Sequence, residues 1–401
     1  MAKKDRYLVG LDVGSTKTCA LVCEPEEAAA RFLALGVAES KGTRKGLIVN
    51  LEAIVSSIRR AVEAAENAAE VPIESAYVGV AGSHVRGVNS RAGVSLGQRP
   101  RDVQREDVGR AVEAARGIPL AEDREVLHVL PQEFFVDGQD NIRDPVGLTG
   151  QNLEANVHVV TASATATQNV ITAVNRAGVI VADTVLESLA SADACLTPDE
   201  KELGCCLLDI GGGTTDLAVY VGGVVRHTGA IPIGGDHFTN DLAVGLRTPI
   251  PEAERIKREH GCAWRPLVRE DRAIEIASVG DRPARTIFTR ALCEILEPRA
   301  QELLVLAAEE LRRAGLDTLL PAGLVFTGGG ARLAGLMELA EQMFHLPVRL
   351  AAPRGLEGMT EEVSQPEFAT VVGLLLYGAR TRQTAQRPAG LVAKLKAMFA
   401  G

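Results

Sequence analysis

The chain has 401 residues, 46% of them apolar and 24% charged, which is enough sequence of ordinary globular composition to bury two or more cores. Aromatics are only 3%, so neither a ring-lined carbohydrate cleft nor a base-stacking surface is expected. The net charge of -9 repels nucleic acid, yet five basic residues and no acid occur from Arg380 onward, which leaves -14 on the remainder and points to an anionic surface as partner.

The segment from Met1 to Arg6 is charged and runs straight into a strand, without the apolar stretch and cleavage site of a signal peptide. No apolar run is long enough to span a bilayer, so a protein that is neither secreted nor membrane-spanning is expected. Tyr7-Leu8-Val9-Gly10-Leu11 predicts a strand, Asp12-Val13-Gly14-Ser15-Thr16-Lys17 a turn, and Thr18-Cys19-Ala20-Leu21-Val22 a second strand. A helical pattern follows over Leu51–Ala69, stopped by Pro72. Between Gly82 and Ala162 the periodicity changes to strands around one clear helix, Arg105–Arg116, and a turn-rich stretch from Asp137 to Asn152. This predicts a small α+β module inserted into the first half. Helical spacing returns over 166–177 and ends at Gly178.

The strand, turn, strand pattern then recurs. Cys205-Cys206-Leu207-Leu208 leads into Asp209-Ile210-Gly211-Gly212-Gly213-Thr214-Thr215, and Leu217-Ala218-Val219-Tyr220-Val221 follows. A helix is predicted over 252–259 and another over 303–314, before Gly315. The apolar strand Leu324-Val325-Phe326 enters Thr327-Gly328-Gly329-Gly330-Ala331-Arg332, with a helix expected over 333–344. Residues 381–389 are polar, basic and broken by Pro388, which predicts a flexible connector. In the helix expected after it, Leu391, Val392, Leu395, Met398 and Phe399 fall within an arc of about 120° bordered by Lys394 and Lys396. That is the pattern of an interfacial amphipathic helix whose lysines reach lipid headgroups.

Alternation of strands and helices indicates α/β architecture, and the repeated turn implies two similarly folded halves. In each turn a carboxylate ends the incoming strand and small residues make the bend, so backbone N–H groups can approach an anion. Gly14, Ser15 and Thr16 would cradle phosphates from one side, and Gly211, Gly212, Gly213, Thr214 and Thr215 from the other, with Lys17 as a point charge. A single such turn is also what a glycine hairpin looks like, but that reading does not predict the second copy. Asp12 and Asp209 would face one gap, where two acids favour a hydrated magnesium ion. The amides of Gly329 and Gly330 are expected at a helix N-terminus, open to a flat base. Glu254 and Lys257 share a helical face; Glu254 is expected to accept from ribose hydroxyls while the Lys257 stem and Arg332 lie against adenine. Seven cysteines without a C-x-x-C pair and seven histidines without ligand spacing predict no structural metal.

These residues resemble the actin, sugar kinase and heat-shock chaperone ATPase superfamily, and within it the FtsA family of bacterial cell-division proteins. The resemblance rests on both turns and on Ile231-Pro232-Ile233-Gly234-Gly235-Asp236-His237-Phe238-Thr239-Asn240-Asp241-Leu242. It implies an actin-like (ribonuclease H-like, duplicated) two-domain ATPase fold with the α+β segment as an inserted subdomain. The implied division is 1–83, first half of domain 1; 84–162, the insert; 163–192, the return; 193–241, domain 2; 242–300, a small upper subdomain; 301–366, the return to domain 2; 367–380, the final helix; 381–389, the linker; 390–401, the membrane-targeting helix. The resemblance further implies ATP with Mg2+ as cofactors, Gly235 among the nucleotide contacts, and Glu187 facing the water that attacks the γ-phosphate, in at most a slow ATPase. Implied partners are the FtsZ C-terminal tail, held near Arg285 and Arg290; further copies of the chain, in filaments; an anionic membrane at the division septum; and later division proteins, through the insert. A type IV pilus inner-membrane actin homologue and a sugar kinase-like phosphotransferase are the alternative readings.

Overall fold

The computed structural model describes residues 6–26, 30–280 and 282–386. The tail residues Leu391, Val392, Lys394, Leu395, Lys396, Met398 and Phe399 lie outside them.

The first half is built on a sheet ordered Ile180–Leu186, Ser75–Val80, Leu8–Val13, Lys17–Pro25, Ala30–Glu39 and Leu356–Glu357. Leu8–Val13 pairs antiparallel with Lys17–Pro25 across the Gly14-Ser15-Thr16 turn and parallel with Ser75–Val80 on its other side. Helix α1 (Leu51–Ala69) covers one face. The Asn50 side chain caps it by accepting from the Ala53 N–H at 3.1 Å, and Ile54, Ile58, Ala61, Val62 and Ala65 form the buried stripe at helical spacing. The insert contains helix α2 (Arg105–Arg116) on a sheet ordered Gln139–Ile142, Arg124–Val136, Asn152–Ser163 and Arg86–Ser95, with its own core around Phe134, Leu153 and Val157. The chain returns through α3 (Ala164–Arg176) and the buried α4 (Glu187–Cys195), and α5 (Pro198–Leu203) leads into the second half.

The second sheet, ordered Val224–Ile231, Thr215–Val221, Cys205–Ile210, Leu324–Thr327 and Val348–Leu350, repeats the topology of the first. Each half has a hairpin, a third antiparallel strand outside it, and two parallel strands on the other side. Cys205 and Cys206 point to opposite faces of this sheet, into two separate cores. Helices α6 (Gly235–Leu246) and α7 (Ile250–His260) stand above it with the ribbon Ala273–Ile276 and Arg285–Phe288. Helix α8 (Thr289–Arg313) packs into the same core as α6 and α7, through Leu292, Leu296, Ala300, Leu303, Leu304, Ala307 and Leu311. Helix α9 (Leu336–Phe344) follows the glycine cluster, and α10 (Ala369–Gln386) crosses back to the first half and packs against α4.

Three expectations need correction. The helix expected over 303–314 begins at Thr289 and contains Pro298, which lies on the exposed face while the apolar stripe continues across it. Gly329 and Gly330 do not stand at an α-helix N-terminus: they form a single 3-10 turn, Gly329–Arg332, and α9 starts only after Gly335. The connector expected from residue 381 is helical as far as Gln386, because polar side chains fasten that turn to the body. Arg380 pairs with Asp193 and Arg382 donates to the Tyr7 carbonyl at 2.9 Å, while within the helix Thr381 Oγ1 donates to the Tyr377 carbonyl at 3.0 Å.

Candidate nucleotide cleft

The two hairpin turns meet. A Cβ at Gly212 would collide with the Thr16 hydroxyl, and one at Gly213 would come within 2.6 Å of Ser15 Oγ, so only glycine lets the turns approach this closely. Thr16 Oγ1 donates across the gap to Asp236 Oδ1 at 3.3 Å. The second turn is tied to the start of α6, where the Gly235 N–H donates to the Gly211 carbonyl at 2.9 Å and the Asp236 N–H to that of Gly212 at 2.8 Å. Beneath the turns lies a cavity of about 460 Å³ walled by both halves. Its walls include Asp12, Gly14, Ser15, Thr16 and Lys17 from the first half, and Asp209, Gly211, Gly212, Gly213, Thr214 and Gly235 from the second.

The floor is acidic and buried. Burial pushes Asp12 up to about 6, with Lys17 opposing the shift and Asp209 adding to it. Asp209 is raised chiefly by burial, although the Ser191 and Thr370 hydroxyls and Lys17 favour its ionised form. Asp216 is pushed up to about 7 by burial and by Asp209, against hydrogen bonds from Thr214 and the Gly82 N–H. Glu187, the first residue of α4, lies against Gly79, where a Cβ would come within 2.8 Å of its Oε1. Burial holds its carboxyl far above the usual range, with Asp12, Asp216 and Asp209 adding to the effect. These carboxyls converge with Lys17 at the floor, an arrangement suited to a divalent cation. Among the described residues no group of three or more His, Cys, Asp or Glu could hold a metal unaided, so such an ion would need waters and ligand oxygens to complete its shell.

The far wall holds Glu254, Lys257, Gly329, Gly330 and Arg332. Glu254 and Lys257 form an ion pair at 2.6 Å, and Lys257 Nζ also donates to the Gly235 carbonyl at 3.0 Å and to Thr239 Oγ1 at 2.7 Å. Glu254 also accepts from Thr239. Arg332 pairs with Glu367 at 3.2 Å. Lys17 Nζ donates to the Glu367 carbonyl at 2.5 Å and lies 3.8 Å from the centre of the Phe368 ring.

Thr215 is the turn residue that the structure keeps out of the cavity. It is buried and donates to the Ile233 carbonyl at 2.8 Å, fastening its strand to the loop that leads into α6. Arg285 and Arg290 lie apart from the cleft. The Arg285 guanidinium donates to the Leu246 carbonyl, and the Arg290 backbone N–H donates to Asp271 Oδ1 at 3.0 Å. Asp216, Asp236, Glu367 and Thr370 also line the cavity and escaped the sequence reading. Asp216 had a signal as the acid closing Gly-Gly-Gly-Thr-Thr-Asp, and Asp236 had one as the acid after Gly234-Gly235 in the 231–242 motif.

Duplicated sheets closing on one cleft define an actin-like α/β protein. Solved structures agree: the PilM-PilN type IV pilus biogenesis complex is similar at TM-score 0.64 and 19% identity, over 93% of this chain and 98% of that one. MreB 5 of Spiroplasma citri bound to AMPPNP is similar at TM-score 0.60 and 14% identity, over 96% of this chain and 99% of that one. The family model "Cell division protein FtsA" matches residues 206–373, and the model "SHS2 domain inserted in FTSA" matches residues 82–161. A cell division protein FtsA of Pseudomonas aeruginosa is 46% identical over 374 residues, covering 93% of this chain and 89% of its own. The chain belongs to the FtsA family of cell division proteins.

Proposed function

We propose that this chain binds ATP with magnesium in the cleft, polymerises on the cytoplasmic face of the cell membrane and tethers FtsZ filaments there at the division septum. The observation that carries the nucleotide reading is the contact of two sequence-related turns, Gly14–Thr16 against Gly211–Thr214, over buried acids. Family membership carries the rest.

In this reading the turn amides bind the phosphates without intervening side chains, and Lys17 supplies a positive charge. Asp12 and Asp209 orient the water shell of the ion, while Glu254 accepts from the ribose and Lys257 and Arg332 flank the base. Magnesium supplies charge neutralisation between the phosphates and these carboxylates. Glu187 would orient a water there, and burial raises its carboxyl well above the usual range. The domain division is part of this proposal, with the final helix extended to Gln386. So are the roles of the insert in recruiting later division proteins, of residues 390–401 in contacting anionic lipid, and of the region bearing Arg285 and Arg290 in holding the FtsZ tail. Arg285 would first have to release the Leu246 carbonyl, which makes Arg290 the more available of the two.

Electron microscopy on an anionic lipid monolayer tests the whole reading: filaments are expected with ATP and absent without it. Calorimetry that detects no adenine nucleotide uptake by the folded chain would end it.

A further inference from the structure

Asp12 and Asp209 occupy matching places in the two turns but are held differently. Asp12 is offset by the charge of Lys17. Asp209 Oδ2 accepts from Ser191 Oγ at 2.5 Å and from Thr370 Oγ1 at 3.2 Å, and the two hydroxyls are 3.1 Å apart. All three side chains are buried. Ser191 lies one helical turn beyond Glu187 on α4, and Thr370 lies in the first turn of α10, so the clamp joins two helices that belong to neither hairpin.

The two helices are pressed together at this level. A Cβ at Gly373 would collide with the Ala190 carbonyl, so the α10 backbone runs directly against α4. Further along, Arg380 of α10 pairs with Asp193 of α4, and Asp193 also accepts from Lys201 Nζ at 3.1 Å.

We infer that Ser191 and Thr370 are positioning residues for the Asp209 carboxylate, and that the α4–α10 crossing, by holding them, sets how strongly the cleft retains a magnesium–nucleotide complex. This rests on the reading of the cleft as a nucleotide site. The hydroxyls fix Oδ2, and the other oxygen, Oδ1, lies against Gly328 at the cavity wall, so a carboxylate held in this way can meet the water shell of an ion without reorganising. The same α10 leads into the C-terminal segment, so the clamp stands one helix away from the proposed anchor.

The test uses the full chain and a fluorescent ATP analogue, titrated once with magnesium and once with EDTA. Thr370→Val keeps the side-chain shape and removes the hydroxyl. Affinity with magnesium is expected to fall about tenfold, the loss of one charge-assisted hydrogen bond, and affinity in EDTA to fall by less, since Thr370 also lines the cavity. Thr370→Ser is expected to restore the magnesium increment, which a purely packing role would not do. Should Thr370→Val fail to fold, Ser191→Ala carries the same expectation. A folded Thr370→Val or Ser191→Ala protein that retains the full magnesium increment overturns the clamp alone. No uptake by the unsubstituted chain in either buffer overturns the cleft reading and the clamp with it.

Discussion

Gly212 has no room for a side chain, because the Thr16 hydroxyl of the opposite turn occupies the place of its Cβ. Gly212→Ala is therefore expected to push the turns apart and weaken ATP binding by more than about tenfold in calorimetry, in a chain that still folds. Asp209→Ala should abolish magnesium-dependent retention, and unaltered retention would mean that the turns do not bind phosphate. A different residue contributes to acid stability. His128 is buried, and its Nε2 accepts from the Leu186 N–H at 2.9 Å; burial pushes its pKa down to about 4, with Asp183 and Asp193 partly opposing the shift. The unfolded chain takes up a proton near pH 6.5 that the folded chain refuses until about 4. The contribution is thus complete above pH 6.5 and declines as pH falls toward 4, by about 3 kcal/mol at most. His128→Gln should flatten the fall of the melting temperature between pH 7 and 4.5, a range chosen to bracket that window. The turn residues of the cleft were legible because they sit in two short motifs where residue type dictates backbone geometry. Thr215 was misjudged because strand alternation, not membership of the motif, decides direction: Thr214 and Asp216 line the cavity, and Thr215 between them faces the core. Ser191 and Thr370 carry no local signal, since their roles arise from contacts across 18 and 161 residues of chain.

At the level of single elements, the α4–α10 crossing is the most demanding contact. Gly373→Ala should cost about 1–3 kcal/mol in urea denaturation, because the Ala190 carbonyl cannot yield without moving α4. Helix α2 depends instead on its first turn. Asp107 accepts from the Gln104 N–H at 2.9 Å and from Arg101 and Arg110, which hold its carboxyl well below the usual range. Asp107→Ala removes the cap and leaves two arginines without their partner. A loss of about 2 kcal/mol is expected, together with increased proteolysis within the insert. Helix interiors were readable from apolar spacing, as in α1 and α2, whereas the ends of α8 and α10 were not. A proline reads as a stop unless the stripe on both sides of it is weighed. The polar residues 381–386 read as linker because the contacts of Arg380 and Arg382 with Asp193 and Tyr7 are invisible in a local window.

For the whole molecule, the duplicated motif was enough to forecast two matching sheets, because each copy demands the same strand, turn, strand geometry. It could not forecast how tightly the halves meet, which depends on Gly212 against Thr16 and on α10 crossing from one half to the other. The same scale governs membrane binding. The body carries -14 and is repelled by anionic lipid, while the segment from Arg380 carries +5. Arg380 is already paired with Asp193 on the body, so the attraction must come from the residues beyond it. Under the proposed function, at about 1 kcal/mol per basic residue near an anionic leaflet, one copy would be a weak anchor and an array of copies a strong one. Binding to anionic vesicles should therefore rise steeply with protein concentration, require ATP where ATP drives assembly, and weaken as salt is raised. Deleting residues 390–401 should abolish co-sedimentation while leaving nucleotide affinity intact. A truncated chain that still pellets with vesicles would locate the lipid contact on the body, against its own negative charge, and would remove the anchor from the proposed function.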